Sequence, residues 1–204
     1  MTERAATPVA RRRPAAWLVR QLERCLALIG LATVVYLTCF DYSRVTSKSM
    51  HPTLQGTDWE SGDRVLTENV SYWFRSPQRW EVITYRAADG SQIMKRVVGL
   101  PGEQVRMLRG GRILIDGREI SPPPELRFLD YFPYGNLTAE KPPVQCGDGY
   151  YVLGDYTMDS DDSRFNGPVR PHQLVGRAWL ILGPKGRRGL VASQGSEPTT
   201  AATR

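Results

Sequence analysis

Hydrophobic residues gather along this chain in two ways. The first is a single uncharged run of 16 residues, 25–40 (CLALIGLATVVYLTCF). The second is a series of short runs of strand length at residues 64–67, 81–85, 93–98, 104–108, 112–115, 150–153 and 178–182, separated by turn residues. Apart from the first run, no long stretch carries the 3.6-residue period of an amphipathic helix. Gly110-Gly111 and Asp116-Gly117 mark tight hairpins, because these dipeptides accept the positive φ of two-residue turns. Many short strands with close turns predict a mainly β fold, a sandwich or partly closed barrel, preceded by one helix. Residues 121–143, rich in proline and aromatics and without a period, read as an insertion loop.

The apolar run fixes a compartment. At 1.5 Å per residue it reaches about 24 Å, short of a hydrocarbon core of roughly 30 Å. Tyr42 on one side and Trp17, Leu18, Val19 and Leu22 on the other extend it, with the interleaved arginines snorkelling. A buried core helix and a cleavable secretory signal are the competing readings. The arginines Arg11, Arg12, Arg13, Arg20 and Arg24 before the run, and the sequence FDYSR after it, where a signal would carry A-x-A, argue against both. The chain is expected to be single-pass in the plasma or inner membrane, with its Arg-rich end cytoplasmic. The expected division is a cytoplasmic tail at 1–24, a transmembrane signal-anchor at 25–42, an extracytoplasmic β domain at 43–192 and a disordered tail at 193–204.

The net charge of +6 would favour a nucleic acid or acidic lipid if it lay on the folded part. It does not: residues 1–24 hold six Arg against two Glu, and residues 183–204 four Lys/Arg against one Glu. The remainder carries 17 basic and 18 acidic residues, which excludes the basic face of a nucleic-acid binder. Three cysteines give no disulfide framework, and two histidines without CxxC or HExxH give no metal spacing. No cofactor and no metal are expected.

The chemistry concentrates in Ser47-Lys48-Ser49-Met50-His51-Pro52, directly after the anchor. A serine hydroxyl needs a base within hydrogen-bond reach. His51 stands two residues away beside a proline turn and reads as a solvated loop histidine. The alternative is a lysine without its proton. In IMKRVVGLPG, period two sets Lys95 with Ile93 and Val97 on one face and Arg96 with Met94 and Val98 on the other, so one of the two cations should point toward the core. Desolvation lowers a lysine pKa, and a shift from about 10.4 toward 8 takes roughly 3 kcal/mol.

Four blocks then carry a resemblance: S-x-S-M-x-P-T-L from Ser47, G-D-x-V-L from Gly62, K-R-V-V-G-L-P-G from Lys95, and G-D-(x)4-S-x-D-S-R from Gly154. Their order after an anchor resembles the type I signal peptidases. The resemblance implies a signal-peptidase-like β fold and a membrane serine protease that removes signal peptides from preproteins after small residues at −1 and −3. Ser49 is similar to that family's nucleophile and Lys95 to its general base. The Ser49 N–H and the Ser47 hydroxyl match the oxyanion hole, and Ser160 the residue that orients the lysine. Asp155, Asp162 and Arg164 match supports behind the pair, the last two as an ion pair, while Met50 and Pro52 shape the turn and the substrate pocket. The partners implied are preprotein signal peptides and membrane lipid, with no nucleic acid and no metal.

Three departures stand out. The last block reads Gly154-Asp155-Tyr156-Thr157-Met158-Asp159-Ser160 where G-D-N-R-D-N-S is usual. The strand that often opens R-G-D-[IV] reads Arg79-Trp80-Glu81-Val82, so its turn should differ. Lys48 places a cation between the two serines, where it would favour neutral Lys95 if close. Tyr72-Trp73-Phe74 with Trp80 could form an interfacial aromatic patch or simply pack in the core. Two other functions stay open: a peptidase dedicated to one specialised substrate, and a non-catalytic membrane-anchored β scaffold.

Overall fold

A computed structural model of the chain describes residues 14–57 and 60–192. The expected tail at 193–204, and the first thirteen residues of the one at 1–24, lie outside the described residues. The chain divides after Thr38 into two units. The first is helix α1 (Pro14–Cys39), of which Ala16–Cys39 is long and apolar enough to cross a membrane, about 36 Å at 1.5 Å per residue. The Thr33 and Thr38 hydroxyls donate to the carbonyls of Ile29 and Val34, so neither is left bare on the apolar helix.

The helix is longer at its start and shorter at its end than the segment expected at 25–42. Phe40, Asp41 and Tyr42 belong to strand β1 (Phe40–Arg44), whose backbone pairs with β2 (Arg64–Glu68) from Phe40↔Glu68 to Arg44↔Arg64. Pairing with a strand takes their backbone groups out of the helix.

After β2 come a single helical turn, α2 (Ser71–Phe74), and the strands β3 (Val82–Arg86), β4 (Gln92–Gly99), β5 (Gln104–Met107), β6 (Ile113–Ile115), β7 (Arg118–Ile120), β8 (Val144–Gln145) and β9 (Tyr151–Leu153). The turn α3 (Ser163–Asn166), β10 (Leu174–Gly183) and β11 (Gly189–Leu190) complete the domain. One antiparallel sheet runs β1-β2-β10-β3-β4-β9, with β11 against β10; the second runs β7-β6-β5-β8. The two predicted hairpins are β5-β6, through Gly110-Gly111, and β6-β7, through Asp116 and Gly117 at φ of 49° and 78°.

The first sheet is covered on both faces, and this explains why its strands lack alternation. Val82 and Ala178 pack with Met50, Leu54, Val65, Ile181 and Val191 on one side. Ile83 and Val97 pack with Tyr85, Tyr150, Val152 and Val169 on the other. A third cluster lies under the second sheet, and residues 121–143, expected as an insertion loop, contribute to it. Leu126, Leu129, Tyr131 and Leu137 from this segment are buried beside Val105, Met107 and Ile113. A sheet of short strands closes its core with whatever chain crosses it, and an irregular segment does so without a period.

Trp80 also departs from expectation. Its φ is 70°, the conformation glycine takes without cost, so the turn keeps a glycine-type backbone although the residue is tryptophan. The indole is 5% exposed in the third cluster, and burying it offsets roughly 1–2 kcal/mol of backbone strain. Trp80 is therefore core, while Trp73 and Phe74 remain exposed.

Candidate active site

The turn that follows β1 is held from inside. Met50 and Leu54 are fully buried, the Leu54 N–H donates to the Met50 carbonyl, and the His51 N–H donates to the Lys48 carbonyl. It is also held from behind, where the Tyr156 N–H donates to the Ser49 carbonyl at 3.0 Å. Gly154 permits that approach: a Cβ there would lie 2.6 Å from the Ser49 carbonyl oxygen and 2.1 Å from the Ser160 hydroxyl. Any side chain would push the two segments apart.

Ser49 is thus fixed with its hydroxyl facing β4. Lys95 Nζ donates to Ser49 Oγ at 2.6 Å, and Ser47 Oγ lies 3.1 Å from Ser49 Oγ. Lys95 is 3% exposed. Burial brings its pKa down to about 8, while the carboxylates of Asp162, Asp161 and Asp155 pull it upward and Arg164 lowers it. The cation that favours the neutral amine is Arg164; Lys48, expected in that role, is exposed on the other flank of the turn. His51 is exposed there too, edge-on to Tyr156 at 6.4 Å between ring centroids.

Both members of the Lys95-Arg96 pair are buried, against the expectation that one faces solvent. Arg96 is fully enclosed and donates from Nε to Asp155 Oδ1 (2.8 Å) and from Nη2 to Asp155 Oδ2 (2.6 Å). Its Nη2 also donates to Thr53 Oγ1, and Nη1 to the carbonyls of Trp80 and Ala192. This ties the turn at residues 47–52 to β4 and to the loop after β9. Asp63, likewise buried, accepts from the Gln55 N–H and from Arg187, whose Nη2 also donates to the Thr53 carbonyl.

Asp162 organises the last block. It accepts from Arg164 Nε at 2.8 Å, from the Gly154 N–H at 2.9 Å and from Ser160 Oγ at 2.7 Å, and it caps α3 by accepting from the Arg164 N–H. The ion pair of Asp162 and Arg164 is present. Ser160 differs from its expected role: its hydroxyl donates to Asp162, and the hydrogen bond of the Lys95 amine goes to Ser49. Pro52 is exposed and outside the cavity beside Ser49, whereas Met50 lines it.

That cavity, about 430 Å³, lies between residues 43–47 and residues 91–95, with Ser49 and Lys95 at one end and Asp159 and Asp161 at its rim. β1 pairs only with β2, and residues 92–95 of β4 pair only with β3, since β9 begins its pairing at Arg96. The sheet is therefore open at this place, with a strand edge on either side. Unpaired strand edges of this kind can accept an extended chain by backbone pairing.

Sequence reasoning missed Arg96, Thr53, Gly154 and the two rim carboxylates. The signal for Arg96 was present in the second cation of an apolar strand, followed far along the chain by the Gly-Asp pair that neutralises it.

The sequence matches, over residues 18–182, the family model described as signal peptidase, peptidase S26. It is 35% identical to the signal peptidase I of Leptolyngbya laminosa over 79% of each chain. It is 29% identical to the probable signal peptidase I-1 of a Synechocystis strain, over 88% of this chain and 91% of that one. With the signal peptidase I V of Bacillus subtilis it shares 26% identity over 78% of this chain and 94% of the other.

Proposed function

The chain belongs to the signal peptidase family, peptidase S26, and on that premise we propose that it removes signal peptides from preproteins with Ser49 as nucleophile and Lys95 as its base. The observation that carries this reading is the 2.6 Å contact between a buried amine and the Ser49 hydroxyl. An amine with a pKa of about 8 is neutral in roughly a tenth of molecules at pH 7 and in about half at pH 8. It can take the hydroxyl proton while Oγ attacks the scissile carbonyl, forming the tetrahedral oxyanion. The Ser47 hydroxyl and the Ser49 N–H donate to that oxygen, each lowering the barrier by roughly 3 kcal/mol. The lysine then gives its proton to the departing amine as the carbon–nitrogen bond breaks. Water, deprotonated by the same lysine, hydrolyses the acyl ester and restores Ser49.

Asp155 and Arg96 hold the turn, and Asp162, Arg164 and Ser160 hold the loop that closes the site from behind. Small residues at −1 and −3 of the substrate would point into the slot beside Met50. α1 would anchor the chain in lipid with its Arg-rich end cytoplasmic and residues from 43 onward on the far side of the membrane. Confining enzyme and signal peptide to one bilayer raises their effective concentration without new contacts.

Reconstituted in liposomes, the full chain should release the mature part of a preprotein with an A-x-A site, and Ser49→Ala should release none. Added protease should digest residues 43–192 only on the side where processing occurs. Equal processing by Ser49→Ala would overturn the assignment.

A further inference from the structure

A second cavity, about 480 Å³, flanks the same turn and holds neither Ser49 nor Lys95. Lys48, His51 and Tyr156 line it together with residues 55–57 and Ser61. Lys48 is the only side chain with a formal charge at neutral pH among the described residues that line it, counting histidine as neutral. The first cavity differs in carrying both signs, with Asp159 and Asp161 alongside Arg44 and Lys95. The two are joined through the nucleophile: Tyr156, a wall of the second cavity, donates its N–H to the carbonyl of Ser49.

A substrate occupying the open strand edges of the first cavity brings its scissile bond to Ser49. Its continuation past the bond must leave over the far flank of the turn, where Lys48 stands. Side chains alternate along an extended chain, so one of the first two residues after the cut turns toward that flank. We propose that the second cavity is a subsite for the mature side of the substrate, in which Lys48 selects an acidic side chain within the first residues after the cleavage point. This rests on the protease reading above and adds to it the part of the substrate that leaves first.

The test uses the full chain in detergent with three peptides sharing one A-x-A site and carrying Asp, Gln or Lys at the first or second position after it. An exposed cation contributes modestly, so kcat/KM should favour Asp over Lys by about two- to five-fold, mainly through KM. Lys48→Gln should erase the preference and Lys48→Glu reverse it, each read as the Asp-to-Lys ratio of kcat/KM within one protein. A preference absent in the wild type, or unchanged in both variants, would overturn the subsite while normal cleavage of the Gln peptide kept the protease reading intact. Failure to cleave all three peptides would overturn that reading and the subsite with it.

Discussion

Strand β4 buries two cations side by side, one on each face, and treats them oppositely. Arg96 is enclosed with a carboxylate at 2.6 Å, two carbonyls and a hydroxyl, so its charge is matched where it lies. Lys95 is enclosed with a hydroxyl, and the nearest carboxylates act on it only through space. Burial alone therefore does not decide protonation. The same loss of water leaves the paired guanidinium ionised and makes the unpaired amine ready to lose its proton.

The largest effect should come from making the two faces alike. Lys95→Arg keeps a cation that cannot deprotonate, and processing should fall on the order of 10⁴-fold with an unchanged circular dichroism spectrum. A rate within ten-fold of wild type would show that the amine is not the base. Arg96→Met leaves Asp155 buried without its partner, and denaturant titration should show a loss of about 3–5 kcal/mol; Asp155→Leu in the same chain should recover part of it. Ser47→Ala, which takes away the hydroxyl proposed as an oxyanion donor, should lower kcat roughly 10²-fold with little change in KM.

The subtlest comparison is Lys95→Met, which should be inactive yet more stable. Lys95 titrates near 8 when folded against an ordinary 10.5. Between those values the unfolded chain holds a proton that the folded chain has released, so folding stability rises with pH across that window. Below about pH 8 the full cost of the buried ammonium applies, about 3 kcal/mol as an upper bound. The gain from Lys95→Met should thus be present at pH 7 and fade toward pH 10.5, opposite in sign to Arg96→Met. In the wild type the rate should climb through about pH 8 and level off above it. A rate independent of pH from 6 to 9 would contradict a titrating amine.

Much of this was legible in the sequence, and what escaped has physical reasons. The apolar run, the strands at 64–67 and 93–98, and the Asp116-Gly117 turn are set by local pattern and were read directly. β1 escaped because FDYSR follows an apolar helix and has little strand character of its own; β2 makes it a strand. β10 starts at Leu174, four residues before the apolar run, because Gly176 and Arg177 are held by pairing with Thr84 and Ile83. Of the site, Ser49 and Lys95 stand in ordered blocks and could be named. The Ser160 contact could not, because its hydroxyl has a closer acceptor in Asp162, two residues along. Alternation puts one of Lys95 and Arg96 inside and the other outside only when a sheet has a wet face, and this one has none at either residue. Cys146 turns out to be a core residue, its thiol pushed up to about 11 mainly by burial.

As the proposed substrate site, the slot between β1 and β4 would test more than side-chain size. A segment can lie between two open strand edges only if its own amides and carbonyls are uncommitted on both sides. Helices and sheet interiors of a folded cargo fail that condition whatever their sequence, so small-residue triplets inside finished domains are spared. Timing follows from the same geometry: the cut belongs to the interval after a chain emerges and before it ties up its backbone.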